Sequence, residues 1–369
     1  MLKHKLTFID FVIKEWLLIA SGVGFVLLSL YLKQLPNFSI NELEVLFILY
    51  VLFITVNGLQ RSGLLLKIAQ FLEKGRAIPL KLVLVTFFFS MVLTNDIALI
   101  VIVPLTLSLN INKKDTLVIL EALAANAGSA LTPIGNPQNL YIYWFYHIHP
   151  FTFIKTIFPF SFVFLGLLTV FSLFVVIRKD LKPDQIQKIN KKAYIYGVLF
   201  IIVLLTVFHI LPLISGVAVI FFALIFDQKA LYVDYSLLFS FFFFFGIADN
   251  LKVILAPEIS HSGHIFLLSL LTSQVMSNVP ATLLIAKFTS NWQPLLWGAN
   301  AGGFGSLVGS LANLIAYKLY ILHEGTNKTA SFTAKFLILG YIALFISIGL
   351  YFVLVNPADF LWIIKWLKG

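Results

Sequence analysis

Two short polar blocks occur twice in this chain, each inside an otherwise apolar run. Asn126-Ala127-Gly128 returns as Asn300-Ala301-Gly302, and in each copy a second asparagine follows thirteen positions on, at Asn139 and Asn313. Upstream, Ser90-Met91-Val92-Leu93-Thr94-Asn95 is echoed by Ser273-Gln274-Val275-Met276-Ser277-Asn278. Side-chain amides and hydroxyls are neutral ligands, able to replace part of an ion's hydration without holding it too tightly for release. A chain that repeats its least lipid-compatible residues is building one ligand site from two halves.

Along Thr116 to Trp144 the helical pattern is interrupted by Gly128, Ser129, Thr132, Pro133, Gly135 and Asn136, and along Leu295 to Leu322 by Gly302, Gly303, Gly305, Ser306, Gly309 and Ser310. Pro133 removes an amide donor and glycine lowers the cost of leaving helical geometry, so both stretches are expected to unwind into broken helices, 116–144 and 295–322. Freed carbonyls, those of Gly128 and Gly302 among them, can coordinate a small cation, while half-helix N-termini offer amide donors to an anion. The plainer account is close packing, and Gly305 and Gly309 do form a small-xxx-small pair. The aligned recurrence of Asn126 with Asn300, Thr132 with Ser306, Gly135 with Gly309 and Asn139 with Asn313 favours a site, because packing needs no matched amides.

Thr94-Asn95-Asp96 and Ser277-Asn278-Val279 resemble helix caps, and Pro280 suits the first turn of a helix. Capping and ligand roles coexist if both tips lie in one cavity. Asp96 has Val279 as its partner in the second copy, and an acid deep in a membrane is either a proton or cation site or the cap of the following helix. Glu121, five residues before Asn126, is a proton carrier or else part of a salt-bridge cluster with Lys113, Lys114 and Asp115. His147, His149, His261 and His264 can be drawn into a shared metal site, although interfacial histidines are common. The run Phe241 to Phe245 reads as lipid-facing bulk. No nucleophile motif, phosphate loop or nucleotide-binding block occurs, which argues against an ATP-driven pump.

These residues have to be positioned within a membrane. With 60% apolar and 11% charged residues over 369 positions and a mean hydropathy of +0.98, the chain has too little polar surface to coat a soluble globule. It reads as an all-α integral membrane protein, since barrel strands would alternate polar and apolar residues. The runs Phe11 to Leu32, Phe151 to Val176, Ala193 to Ile210 and Phe332 to Val355 approach or exceed the roughly 20 residues that a spanning helix needs. The run from Phe11 lacks a small-residue cleavage site and reads as a first membrane helix. The absence of cysteine excludes disulfides and thiolate metal ligation.

The net charge of +10 follows the ordinary asymmetry of membrane loops, with no nucleic-acid partner implied. Basic clusters at Lys3 and Lys5, at Arg61 to Lys81, at Lys113 and Lys114, and from Arg178 to Lys192 all belong on the cytoplasmic side. They reach it together only if Pro79 to Leu109 enters and leaves on one face. A single helix of that length would run about 46 Å, too long for one crossing of about 30 Å, and two crossings need about 40 residues. A re-entrant hairpin over 79–109 fits, with Thr94-Asn95-Asp96 at its tip, and a second over 264–288 enters from the outer face. This arrangement leaves only Lys33, Lys155, Lys252, Lys287, Lys365 and Lys368 outside. The expected organisation is a first repeat over 1–177, a cytoplasmic linker over 178–192 and an inverted second repeat over 193–369.

The tip Thr94-Asn95-Asp96, the block Thr132-Pro133-Ile134-Gly135-Asn136-Pro137-Gln138-Asn139 and the second pair of tip and broken helix together resemble the ion transporter superfamily with the citrate-transporter-like domain. Its members include arsenite permeases, sodium:proton antiporters, and citrate and dicarboxylate symporters. The resemblance covers nearly the whole chain. In relatives with a dicarboxylate substrate the tips carry Ser-Asn-Thr and the broken helices complete sodium sites. That implies Thr94, Asn95, Asn126, Asn136 and Asn139 in one half, and Ser277, Asn278, Asn300, Ser310 and Asn313 in the other. Asp96 and Val279 depart from the third tip residue, which favours the permease and antiporter side of the family. The resemblance also implies alternating access by movement of the hairpin and broken-helix domain against a scaffold, often within a homodimer.

The expectation is a secondary active transporter moving a small anion, an oxyanion or carboxylate, across the cytoplasmic (inner) membrane, multi-pass with a cytoplasmic N-terminus and coupled to a proton or sodium ion. Thr132 and Ser306 join the asparagines and tip hydroxyls as solute ligands, and Asp96, Glu121, Gly128 and Gly302 hold the coupling ion. No cofactor or metal beyond a sodium ion is expected. The rivals are a cation:proton antiporter, a metalloid (arsenite-type) efflux permease, a passive channel, and an intramembrane enzyme using Asp96 and Glu121, near which no activated nucleophile occurs.

Overall fold

The computed structural model describes residues 15–65, 67, 77–109, 111–175, 190–255, 265–323 and 329–355. The start of the expected first span at Phe11, the basic positions Lys3, Lys5, Lys74 and Arg76, linker positions 178–189, and His261 and His264 lie outside the described residues.

Backbone polar groups in hydrocarbon must be satisfied within their own segment, and the described residues form fifteen helices and no strand. In chain order these are α1 (Trp16–Leu32), α2 (Ile40–Arg61), α3 (Ile78–Leu93), α4 (Asn95–Ser108), α5 (Lys114–Ser129), α6 (Pro137–Phe145), α7 (Pro150–Leu173) and α8 (Lys192–Val207). There follow α9 (Val217–Phe226), α10 (Tyr235–Leu255), α11 (Ile265–Met276), α12 (Asn278–Ala286), α13 (Trp292–Ala301), α14 (Leu311–Ile321) and α15 (Thr329–Leu354). Four stretches, Ile40–Arg61, Pro150–Leu173, Gln228–Leu251 and Thr329–Leu354, are long and apolar enough to cross a membrane. The chain is an all-helical integral membrane protein.

The expected spans at 151–176 and 332–355 correspond to α7 and α15. The expected span from Ala193 to Ile210 is shorter, because α8 stops at Val207. His209 there turns left-handed, φ 58, while Ile210 N donates to Leu205 O and His209 N to Thr206 O. Those two bonds close the helix in the manner of a Schellman cap. The phenylalanine run is also not simply lipid-facing: helical periodicity buries Phe241, Phe244 and Phe245, and Phe242 stacks on Phe38 with ring centroids 4.3 Å apart.

Each expected hairpin contains a helix break. α3 and α4 meet at Thr94, φ 99, and α11 and α12 meet at Ser277, φ 75. α3 and α4 pack against one another. Each expected broken helix is broken as well, with residues 130–136 unwound between α5 and α6, and 302–310 between α13 and α14.

The described chain falls into two compact units, and each draws on both halves of the sequence. One comprises described residues of Met1–Arg61, Tyr194–Ser262 and Leu283–Ser290. In it α10 packs on α1 and α2, and α9 packs on α2. The other comprises described residues of Ser62–Ala193, Gly263–Thr282 and Asn291–Gly369. Here α5 packs on α3, α4, α7, α14 and α15, and α13 packs on α6, α7, α11 and α15. Both tips and both unwound segments belong to this second unit.

Candidate functional site

Several bonds recur in both copies of the sequence blocks. At the tips, Asn95 N donates to Gly135 O at 3.0 Å and Asn278 N donates to Gly309 O at 2.9 Å. The Thr132 hydroxyl donates to Met91 O, and the Ser306 hydroxyl donates to the matching carbonyl of Gln274 at 3.1 Å. In each pair, a hairpin arm and an unwound segment satisfy one another's stranded backbone groups, as buried backbone requires.

From the first turn of each returning half-helix an asparagine collects carbonyls that lost their helical donors. Asn139 Nδ2 donates to Ser129 O, Ala130 O and Thr132 O at 3.0–3.1 Å. Asn313 Nδ2 donates to Gly303 O at 2.9 Å and Ser306 O at 3.0 Å. The returning half-helices are capped: Asn136 Oδ1 accepts from Asn139 N at 2.9 Å and Ser310 Oγ from Ala312 N at 3.3 Å. Asn136-Pro137 is a cap followed by proline at the first helical position, which is why α6 restarts there.

Between the copies the asparagines cross over. Asn126 Nδ2 donates to Asn313 Oδ1 at 2.8 Å, and Asn300 Nδ2 donates to Asn139 Oδ1 at 2.8 Å. Each donor's own carbonyl oxygen is then used: Asn126 Oδ1 accepts from Asn95 Nδ2 at 3.2 Å, and Asn300 Oδ1 accepts from Asn136 Nδ2 at 3.1 Å. All four crossing asparagines are buried. Their amides are therefore committed to one another, as a frame.

Three other expected site residues carry no such commitment. The hydroxyls of Thr94 and Ser277 and the side-chain amide of Asn278 have no hydrogen-bond partner among the described residues, although all three residues are at least nine-tenths buried. A Cβ on Gly303 would stand 3.1 Å from Asn278 Nδ2 and 3.4 Å from Asn126 Oδ1. The glycine thus keeps open the space that the uncommitted amide shares with the frame.

The other candidates fall out differently. A Cβ on Gly128 would lie 2.2 Å from Phe87 O, and one on Gly302 would lie 2.6 Å from Ser273 Cβ. Both glycines thus let α5 approach α3, and α13 approach α11, closely. Gly128 O already accepts from Leu131 N at 3.1 Å, and Gly302 O from Gln274 Nε2 at 2.8 Å. Asp96 sits in the first turn of α4, its backbone amide donating to Asn95 Oδ1 at 3.0 Å. Glu121 makes no lysine pair: Lys114 Nζ donates to Leu107 O at 2.6 Å, Asp115 pairs with Lys335, and Glu121 Oε1 accepts the Thr106 hydroxyl. His147 is the left-handed residue, φ 51, that follows α6. Among the described residues no cluster of three or more His, Asp or Glu side chains could hold a metal.

Two groups were not anticipated from sequence. Gln274, opposite Met91 in the repeat, donates to Gly302 O and Phe304 O and accepts from Ser306 N. The one amide side chain in α11, whose other polar residues are Ser269, Thr272 and Ser273, was the available signal. In the first-described unit, Lys287, counted on the outer side at the end of the second expected hairpin, sits in an ion cluster. Its Nζ lies 2.7 Å from Glu42 Oε1 and 3.4 Å from Asp249 Oδ1. Glu42 is also held by Ser39 in a capping box at the start of α2, with Ser39 N donating to Glu42 Oε2 at 2.8 Å and Glu42 N to Ser39 Oγ at 3.3 Å. The Ser39-Ile40-Asn41-Glu42 pattern was readable.

A family model described as citrate transporter matches residues 7–298. An uncharacterized transporter of Methanocaldococcus jannaschii is 36% identical over 318 residues, 82% of this chain and 87% of the relative. The inner membrane protein YbiR of Escherichia coli K12 is 32% identical over 327 residues, 82% of this chain and 86% of the relative. A silicon efflux transporter of Oryza sativa subsp. japonica is 32% identical over 126 residues, 32% of this chain and 26% of the relative. The family is one of transporters, which sets aside the reading of Asp96 and Glu121 as an enzyme's acid and base. This chain belongs to the citrate transporter family of membrane transport proteins.

Proposed function

We propose that this transporter is a secondary active carrier of a small anion, an oxyanion or carboxylate, coupled to a proton or sodium ion across the cytoplasmic membrane, with its N-terminus in the cytoplasm. The observation that carries the reading is the division of labour among the polar residues. The crossing asparagines tie the two copies together, while Thr94, Ser277 and Asn278, in residues that are themselves buried, leave their side-chain polar groups uncommitted. Side-chain donors and acceptors that the protein leaves unused are open to hydrogen-bond a solute. In this reading 79–109 and 264–288 are re-entrant hairpins of two inverted repeats, and the solute sits between their tips and the unwound segments. The acids assigned to the coupling ion in this reading are Asp96 and Glu121.

A second reading, an efflux permease for a neutral hydroxylated metalloid, draws support from the absence of Lys, Arg or His among the site residues and from the silicon efflux named for one relative. Amides and hydroxyls suit an uncharged polyhydroxy solute as well as they suit an anion relieved of charge by a co-bound cation.

The test is a thermal-shift panel of citrate, other carboxylates, oxyanions, silicic acid and alkali cations on the purified protein, since a ligand of the folded state raises its apparent stability. Counterflow in proteoliposomes follows. Exchange of a carboxylate or oxyanion supports the first reading. Exchange of silicic acid alone supports the second, and sodium flux without any solute requirement overturns both in favour of a cation:proton antiporter.

A further inference from the structure

We propose that Glu121 and Thr106 form a proton-binding site, which makes the proton the coupling ion of the carrier described above; the assignment of coupling rests on that reading, whereas the site itself does not.

Glu121 lies on α5, five residues before the crossing Asn126, and is fully buried. Its Oε1 accepts the hydroxyl of Thr106 on α4, the arm that leaves the first tip. Its other oxygen, Oε2, is buried with no hydrogen-bond partner among the described residues. An acid in such a place must have its unanswered oxygen met by a proton or a cation.

The elements around it decide between the two. α5 packs against α3, α4, α7, α14 and α15. The basic groups on these helices are Lys81, Lys155, Lys318 and Lys335, with Lys114 on α5 itself, and none is paired with Glu121. Lys335 is held by Asp115 and Lys114 by Leu107 O. The other titratable groups are Asp96 on α4, Tyr317 and Tyr320 on α14, and Tyr341 and Tyr351 on α15. None of these is bonded to Glu121 either. A hard cation takes about six oxygens. Glu121 and Thr106 supply three, one of them already bridged to another by hydrogen, and among the described residues no cluster of three or more His, Asp or Glu side chains could hold a metal. A proton needs only one oxygen.

The position gives the proton something to act on. Glu121 joins the helix that carries Asn126 to the arm that begins with Asn95, and Asn95 itself donates to Asn126. A change of charge on Glu121 therefore acts on the same pair of elements that the tip bond links.

The experiment is a pH titration of the full-length protein in liposomes by infrared difference spectroscopy, comparing the wild type with Glu121→Gln and with the isosteric Thr106→Val, which changes no charge. The expected result is a titrating protonated-carboxyl band that is lost in Glu121→Gln and shifted in frequency in Thr106→Val. A titration identical in wild type and Glu121→Gln overturns the site, and an unmoved band in Thr106→Val overturns the pairing. Loss of the band on replacing potassium by sodium at constant pH would place a cation on Oε2 and overturn the proton. In proteoliposomes loaded with a pH-sensitive dye, protons moved per citrate or silicic acid should fall at least tenfold in Glu121→Gln, and an unchanged ratio overturns the assignment of coupling. Absence of any wild-type counterflow with the infrared band intact would overturn the carrier reading and leave the proton site standing.

Discussion

Asn126 donates its side-chain amide to Asn313, 187 residues away, at 2.8 Å. The equivalent bond in the repeat, Asn300 to Asn139, has the same length. Neither pair lies within one copy, so each copy supplies a donor to the other's acceptor.

The crossing bonds should be energetically coupled to their partners. Asn126→Ala leaves Asn313 Oδ1 buried without this donor, a loss of about 1–3 kcal/mol. The double variant Asn126→Ala/Asn313→Ala should cost less than the sum of the singles, by about 0.5–3 kcal/mol. Thermal unfolding in detergent checks this, and strict additivity would mean that the bond contributes nothing to the frame.

The two tip asparagines should behave differently despite their matched positions. Asn95 is bonded to Asn126 and Asn278 is bonded through its backbone alone. Asn95→Ala is expected to lower the unfolding midpoint, whereas Asn278→Ala, which breaks no side-chain hydrogen bond, should lower it less. Its effect should fall on solute affinity, read as a weakened ligand-induced thermal shift.

Gly303→Ala tests the space beside that free amide. The added methyl crowds Asn278 Nδ2 and Asn126 Oδ1, so solute affinity should fall while the protein still folds. Counterflow at wild-type affinity would place the solute elsewhere.

Lys287→Met strands Glu42, whose carboxyl is fully buried. Breaking a buried pair from one side costs about 3–5 kcal/mol, whereas removing both charges is often close to neutral. Lys287→Met/Glu42→Gln should therefore recover most of the lost unfolding midpoint. If the double variant is as unstable as the single, the lysine matters through something other than this charge.

The backbone of the candidate site was largely legible because its signals are local. Pro133, Asn136-Pro137 and the glycines mark unwinding wherever the rest of the chain goes, and the tip blocks mark the breaks at Thr94 and Ser277. What the residues could not disclose was partnership. Matched asparagines imply a shared site, but nothing in their spacing says that Asn126 meets Asn313 and leaves Asn278 uncommitted. Gln274 and Met91 occupy equivalent positions, and only one of them can bond the unwound carbonyls. Lys287 read as one more outer-side cation because sequence does not show Glu42 and Asp249 waiting for it. The run past Val207 looked like continuing helix because apolar composition carries no trace of the backbone turn at His209.

The crossover has a consequence for how the molecule comes into being. A ribosome finishing the first half releases broken-helix amides whose counterparts are still unsynthesised, so that half must wait in the bilayer with its polar interior unanswered. Severed into two polypeptides, the chain should survive only when both fragments are made in the same cell.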